Sequence, residues 1–160
     1  VVTDITGPTL TCPANQNIIL NGTCSGTIPN YTSMATVTDN CTATASIVVT
    51  QSPVAGTPIS GAGTVQIITL TATDGNGNSS TATQNVIVKD VTVPVAPALA
   101  DVTGECEASV TAPTAQDNCA GTITATTTDA LSYNTQGTHV VTWTFKIGRA
   151  SCRERVLQQV

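Results

Sequence analysis

The residues of this chain best suited to chemistry lie in one short run, Asp74-Gly75-Asn76-Gly77-Asn78, with oxygen-bearing side chains at alternate positions. A calcium loop presents its ligands in this way, because a hard cation takes carboxylate, amide and backbone oxygens. An EF-hand loop would continue to a bidentate Glu at its twelfth position, where this chain has Asn85. Asp-Gly and Asn-Gly between β-branched runs also tolerate the positive φ of a tight hairpin. A turn joining two strands is therefore the simpler reading of Asp74, Asn76 and Asn78. A second place for calcium is a domain junction, at which Asp4, Asp90 and Asp101 could gather.

His139 is the single histidine and stands beside the Gly-Thr that opens an expected strand. A catalytic imidazole needs an orienting carboxylate and a nucleophile, and no motif places either beside it. His139 thus reads as a solvent-facing strand residue. The chain has no Gly-x-Ser-x-Gly, His-Glu-x-x-His, P-loop or Cys-x-x-Cys, so neither an enzyme nor a cofactor is expected. Trp143 reads as core filler rather than a sugar-stacking platform. The six cysteines, Cys12, Cys24, Cys41, Cys106, Cys119 and Cys152, lack metal-ligand spacing. Their even number permits three disulfides with many connectivities.

Charge narrows the partners. Four of the five basic residues (Lys146, Arg149, Arg153 and Arg155) lie in the last fifteen positions, leaving Lys89 alone among residues 1–145. Nine of the ten acids lie in that body, whose net charge is therefore −8. Such a surface repels nucleic acid and anionic membrane, both of which need a Lys/Arg footprint. No apolar run reaches the roughly 18 residues of a membrane span, so no membrane insertion is expected. The first residues are already strand-like and carry no signal-peptide pattern, so the chain is expected to begin inside a longer protein.

The elements that must position these residues are strands. Threonine fills 32 of the 160 positions, Val and Ile are frequent, and Gly and Pro recur at short intervals. β-Branched side chains lose rotamer freedom in helices and suit pleated surfaces, so the expected class is all-β. Asn17–Leu20, Ser46–Thr50, Val65–Thr73, Ser80–Asp90 and Val140–Phe145 are the clearest strand runs. With only Tyr31, Tyr133, Trp143 and Phe145 as aromatics, the core is thin and in need of staples.

Landmarks recur in order along the chain. VVTDITGP at 1–8 matches IVKDVTVP at 87–94, an offset of 86. TVTDNC at 36–41 matches TAQDNC at 114–119, an offset of 78, and the glycine of GTVQIITLTA at 63 matches that of GTHVVTWTF at 137, an offset of 74. This is a tandem repeat of about 80 residues. Residues 1–8 read as the end of a preceding repeat or linker, 9–90 as a first β-sandwich, 91–97 as a linker and 98–145 as an incomplete second sandwich. The second copy should turn at an Asp-Gly-Asn counterpart after Phe145, but it continues as KIGRAS.

Thr11-Cys12-Pro13, Asp39-Asn40-Cys41, TLTATDGNGNSSTATQNVIVKD at 69–90 and TGECEASVTAPTAQDNCAGTITATTTD at 103–129 resemble hyalin-repeat (HYR) domains of the kind strung along large Bacteroidetes-type surface and secreted proteins. The resemblance implies tandem immunoglobulin-like sandwiches, an extracellular or cell-surface location and a non-catalytic role in adhesion or as a stalk. The implied partners are other repeats of the same chain and surface glycans or proteins. It also implies that Cys24 pairs with Cys41 and Cys106 with Cys119, each bridge contributing about 3 kcal/mol. Cys12 then has no partner, because the last strand of the first copy, Thr81–Val88, has no cysteine. Two other roles compete with the stalk, namely a glycan-binding module of a secreted hydrolase and a subunit of an extracellular fibre.

The tail differs in kind. Residues 147–156, IGRASCRERV, resemble the translation of a common short-read sequencing adapter, beginning where the repeat breaks off. Residues 146–160 are accordingly expected to be non-native and to take no ordered part in the sheet, leaving an exposed strand edge on the second copy.

Overall fold

The computed structural model describes residues 3–147 and the backbone of residues 153–159. Its described residues form strands, turns and two short 3₁₀ segments, so the expected all-β class holds. Contact density divides the chain into two compact units. The first holds 1–20 and 25–89; the second holds 21–24 and 90–160.

In the first unit the strands are β1 (Thr9–Thr11), β2 (Gln16–Ile19), β3 (Gly26–Thr27), β4 (Thr36–Thr38), β5 (Val48–Ser52), β6 (Pro58–Ile59), β7 (Val65–Thr73) and β8 (Ser79–Lys89). One sheet has the order β2-β8-β7-β5, with β2 parallel to β8 and the other pairs antiparallel. β1 pairs with β4 and β3 with β6 as separate antiparallel two-stranded ladders. β8 follows the period of a half-buried strand, burying Gln84, Val86 and Val88 while Asn85 and Ile87 face outward. Ile18, Ile68, Leu70 and Val86 of the sheet meet Ile28 and Tyr31, with Leu10, Cys12, Ala35 and Ile59 closing over them. The core is built mostly from aliphatic side chains, as the scarcity of aromatics requires.

The DGNGN run forms the β7–β8 hairpin. The Asp74 and Asn78 main chains bond at 3.0 Å, and Gly77 has φ +88°, where a Cβ would be strained. Beside this hairpin lies the leading segment Asp4–Pro8. Pro8 is fully buried, its carbonyl accepts a hydrogen bond from Ser80 Oγ, and a Cβ on Gly7 would come within 2.9 Å of the Ser79 carbonyl oxygen. Gly7→Ala should therefore cost about 1–3 kcal/mol, the usual penalty for overfilling a tight contact. Thermal unfolding of the first unit reports it, and an unchanged midpoint would show that the segment is not seated there.

The second unit holds β9 (Ala108–Ser109), β10 (Thr114–Asp117), β11 (Gly121–Thr124), β12 (Ser132–Tyr133), β13 (Val140–Lys146) and β14 (Arg153–Gln159). These pair as β9-β12, β10-β11 and β13-β14, with a bridge from Thr126 to Thr144. Val110, Ala115, Ala125, Val141, Trp143 and Phe145 form its core. Trp143 is 1 % exposed, as core filler should be.

Local geometry recurs between the copies at the offsets seen in the sequence. The Thr9–Thr38 pair of β1 and β4 returns as the Val95–Gln116 bridge, displaced by 86 and 78 residues. Pro8 and Pro94 are both fully buried. Asp4 Oδ1 accepts from the Thr6 amide at 3.1 Å, and Asp90 Oδ1 from the Thr92 amide at 2.9 Å.

One expectation for the tail is corrected. Arg153–Gln159 pairs antiparallel with β13 over seven residues, from Val140–Gln159 to Lys146–Arg153, so the sheet edge at β13 is covered. Backbone pairing asks little of side chains, and an edge with unpaired amides and carbonyls recruits an extended segment that can turn back onto it. Residues 148–152, Cys152 among them, lie outside the described residues.

Candidate metal centre

Asp74 follows β7 and is 6 % exposed. Its Oδ1 accepts from the amides of Asn76 and Asn78, both at 2.8 Å, and its Oδ2 from Asn78 Nδ2 at 2.8 Å. Burial pushes its pKa upward, but the donors from Asn78, Asn76 and Gly77 together outweigh it and hold the carboxyl below its ordinary value. A depressed folded pKa contributes stability that is complete above the unfolded value, 3.8, and is lost as pH falls through the folded one. First-unit urea midpoints should therefore be flat near neutrality and fall below about pH 4. In Asp74→Asn that acid-induced fall should shrink, and an identical profile in the variant would remove Asp74 from the explanation.

Asp39 follows β4 and closes the turn of the Asp-Asn-Cys motif. Its Oδ1 accepts from the amides of Cys41 at 2.9 Å and Thr42 at 2.8 Å. Its other oxygen, Oδ2, is buried without any hydrogen-bond partner. Asp4 comes from the leading segment. Asn76 Nδ2 donates to its Oδ2 at 3.5 Å, and Asn78 Nδ2 to its carbonyl at 3.2 Å. Asp4, Asp39 and Asp74 each place a carboxylate oxygen within 4.8 Å of the other two. Among the described residues no basic side chain pairs with any of them. An all-oxygen donor set suits hard cations and not zinc or copper.

The structure therefore puts Asp74, Asn76 and Asn78 in the hairpin and Asp4 beside them. Asp90 and Asp101 belong to the second unit, where no third carboxylate joins them among the described residues. Asp39 is the residue that sequence reasoning missed. In the sequence its motif serves only as a cysteine landmark, although an Asp at both 39 and 117 is a visible signal.

The cysteine pairing implied by the resemblance is also corrected. Cys24 bonds to Cys119, with Cα atoms 5.0 Å apart, while Cys41 and Cys106 are free and exposed. Residues 21–24 fold as a tight turn with Cys24 at φ +55°, and Asn118 Nδ2 donates to the Asn21 carbonyl at 3.0 Å. That turn brings the Cys24 sulfur to the Asp117–Cys119 bend instead of to Cys41. Cys12 is free and half-buried against the first core, which raises its thiol pKa.

An open cleft of about 630 Å³ lies in the second unit between loops 101–108 and 133–139. His139 lines it, stacked on the Tyr133 ring with centroids 4.3 Å apart. The imidazole is half-buried on the rim of this open cleft, one residue ahead of β13 rather than on the expected strand. Nε2 faces the Thr135 carbonyl oxygen at 3.1 Å and hydroxyl at 3.3 Å.

No family model matches the chain, and no curated protein matches it. No helix among the described residues is long and apolar enough to cross a membrane.

Proposed function

We propose that the chain is a non-catalytic extracellular repeat module of a large bacterial surface or secreted protein, acting in adhesion or as a stalk. In this reading its copies are tandem immunoglobulin-like sandwiches of the hyalin-repeat kind, and their partners are neighbouring repeats and surface glycans or proteins. The observation that carries it is the recurrence of the same turn around Asp39 and Asp117. Asp117 Oδ1 accepts from the Cys119 amide at 2.9 Å and the Ala120 amide at 2.7 Å, as Asp39 Oδ1 does from Cys41 and Thr42. Repetition of a small two-layer unit is how a chain gains length without gaining a catalytic site. A disulfide suits an oxidising compartment.

Long-read sequencing of the parent gene tests the reading. Further repeats of about 80 residues and a sorting or anchoring segment are the expected result. A parent in which these residues form part of one catalytic domain would overturn it. Binding of purified chain on a glycan array, lost when Tyr133 is replaced, would favour the glycan-binding role instead, since Tyr31, Trp143 and Phe145 are buried.

A further inference from the structure

We propose that the cleft of the second unit, between loops 101–108 and 133–139, is a docking site for an arginine side chain of a partner protein. Its volume of about 630 Å³ falls in the usual range of ligand pockets, about 300–1,000 Å³. Asp101, Glu105 and Glu107 line it, and no lysine or arginine is among its described lining residues. Residues 90–145 contain no lysine or arginine at all, so that stretch supplies no base to neutralise it. A concave surface lined by one sign of charge focuses its field, drawing in cations and turning anions away.

Charge alone does not choose among cations; the shape of the cleft does. Tyr133 and His139 stack with ring centroids 4.3 Å apart and planes 17° from parallel. Tyr133 packs against the second core, and His139 Nε2 lies 3.1 Å from the Thr135 carbonyl oxygen, so both rings are held in place. Glu107 is held as well, since its Oε1 accepts from Ser132 Oγ at 2.7 Å, next to Tyr133 on β12. Gly104 permits the tight loop, because a Cβ there would collide with the Glu107 carbonyl oxygen. A fixed aromatic surface beside a fixed carboxylate suits a guanidinium, which is planar, stacks on rings and pairs with a carboxylate through two parallel hydrogen bonds. An ammonium is a point charge without that match.

The arginine must come from elsewhere. Residues 1–145 contain none, so a neighbouring repeat of this composition cannot supply it. The partner is therefore a different protein, one that presents an arginine on an exposed segment. This rests on the adhesive form of the proposed function, whereas the repeat architecture itself is judged separately, from the parent gene.

The experiment titrates the full chain with an end-blocked triarginine peptide and follows the imidazole proton signals by NMR. His139 is the single histidine, so those signals report on the cleft alone. Arg149, Arg153 and Arg155 of the tail can compete from a second copy, so the chain is kept dilute enough to be monomeric. The peptide should move the His139 signals saturably and bind about tenfold more tightly than its citrulline counterpart, which keeps the shape and lacks the charge. Added NaCl should weaken it, as it does any exposed charge contact. Asp101→Asn combined with Glu105→Gln, both exposed and outside any strand, should cut affinity about tenfold at an unchanged melting midpoint. Tyr133→Leu should weaken binding and Tyr133→Phe should retain it, which separates the ring from its hydroxyl. Unmoved His139 signals, equal binding of the citrulline peptide, or full affinity in the double variant would overturn the site. Trilysine bound as tightly as triarginine would overturn the stacking role of the ring pair. A glucosamine trimer bound in the cleft more tightly than triarginine would overturn the protein partner in favour of a sugar.

Discussion

Trp143→Ala should cost the second unit about 3–5 kcal/mol, enough to remove its cooperative unfolding transition near room temperature. Trp143 is 1 % exposed and is the largest side chain among the fully buried residues. It sits between Val141 and Phe145 on β13, and Val110, Ala115 and Ala125 are the other buried members of that core. Alanines cannot close the void that truncation leaves, so the cavity term adds to the lost transfer energy. The first unit has its own core around Ile68, Leu70 and Val86, and its transition should be retained. Near-UV circular dichroism follows the loss of second-unit packing, and urea unfolding gives its size. A cost below about 1 kcal/mol would mean that the indole is not a core element.

Reduction of the Cys24–Cys119 bond should be the other large effect, at about 4 kcal/mol. The bond spans a sequence separation of 95, and loop-closure entropy grows with the length of chain closed. Peptide mapping without reductant should recover one fragment linking Cys24 to Cys119, with Cys41 and Cys106 open to alkylation as exposed free thiols. Urea midpoints with and without reductant then measure the contribution. Recovery of Cys24–Cys41 and Cys106–Cys119 fragments would reject the pairing, and would lower the expected loss per bridge because each loop is far shorter.

Much of the local structure was legible from residues alone. β7 ends where expected because Asp74-Gly75-Asn76-Gly77 combines a side-chain acceptor with a glycine at positive φ, and both act within five residues. The burial of Val86 and Val88 against exposed Ile87 follows from alternation along β8. Trp143 was identifiable as core because so few large side chains were available to fill one. The recurring offsets were equally visible, and they correctly align Thr9–Thr38 with Val95–Gln116.

Other features were not legible, each because it joins distant residues. The parallel register of β2 on β8, Gln16 opposite Val86, carries no local signature. Cys24 has three free thiols besides Cys119 among the described residues, and spacing does not choose between them. The turn at 21–24 does. The pairing of β14 with β13 depends on an open edge and a reachable extended segment, not on any motif.

The sequence by itself determined the β class, the hairpin at 74–78 and the repeat, because these rest on side-chain branching, glycine freedom and periodicity acting over a few bonds. Only the tertiary structure decided that Asp4, Asp39 and Asp74 share one place. The physical reason is that a carboxylate's distance to other carboxylates and its supply of hydrogen-bond donors are tertiary properties. Both are set by how the leading segment, the turn after β4 and the hairpin fold onto one another.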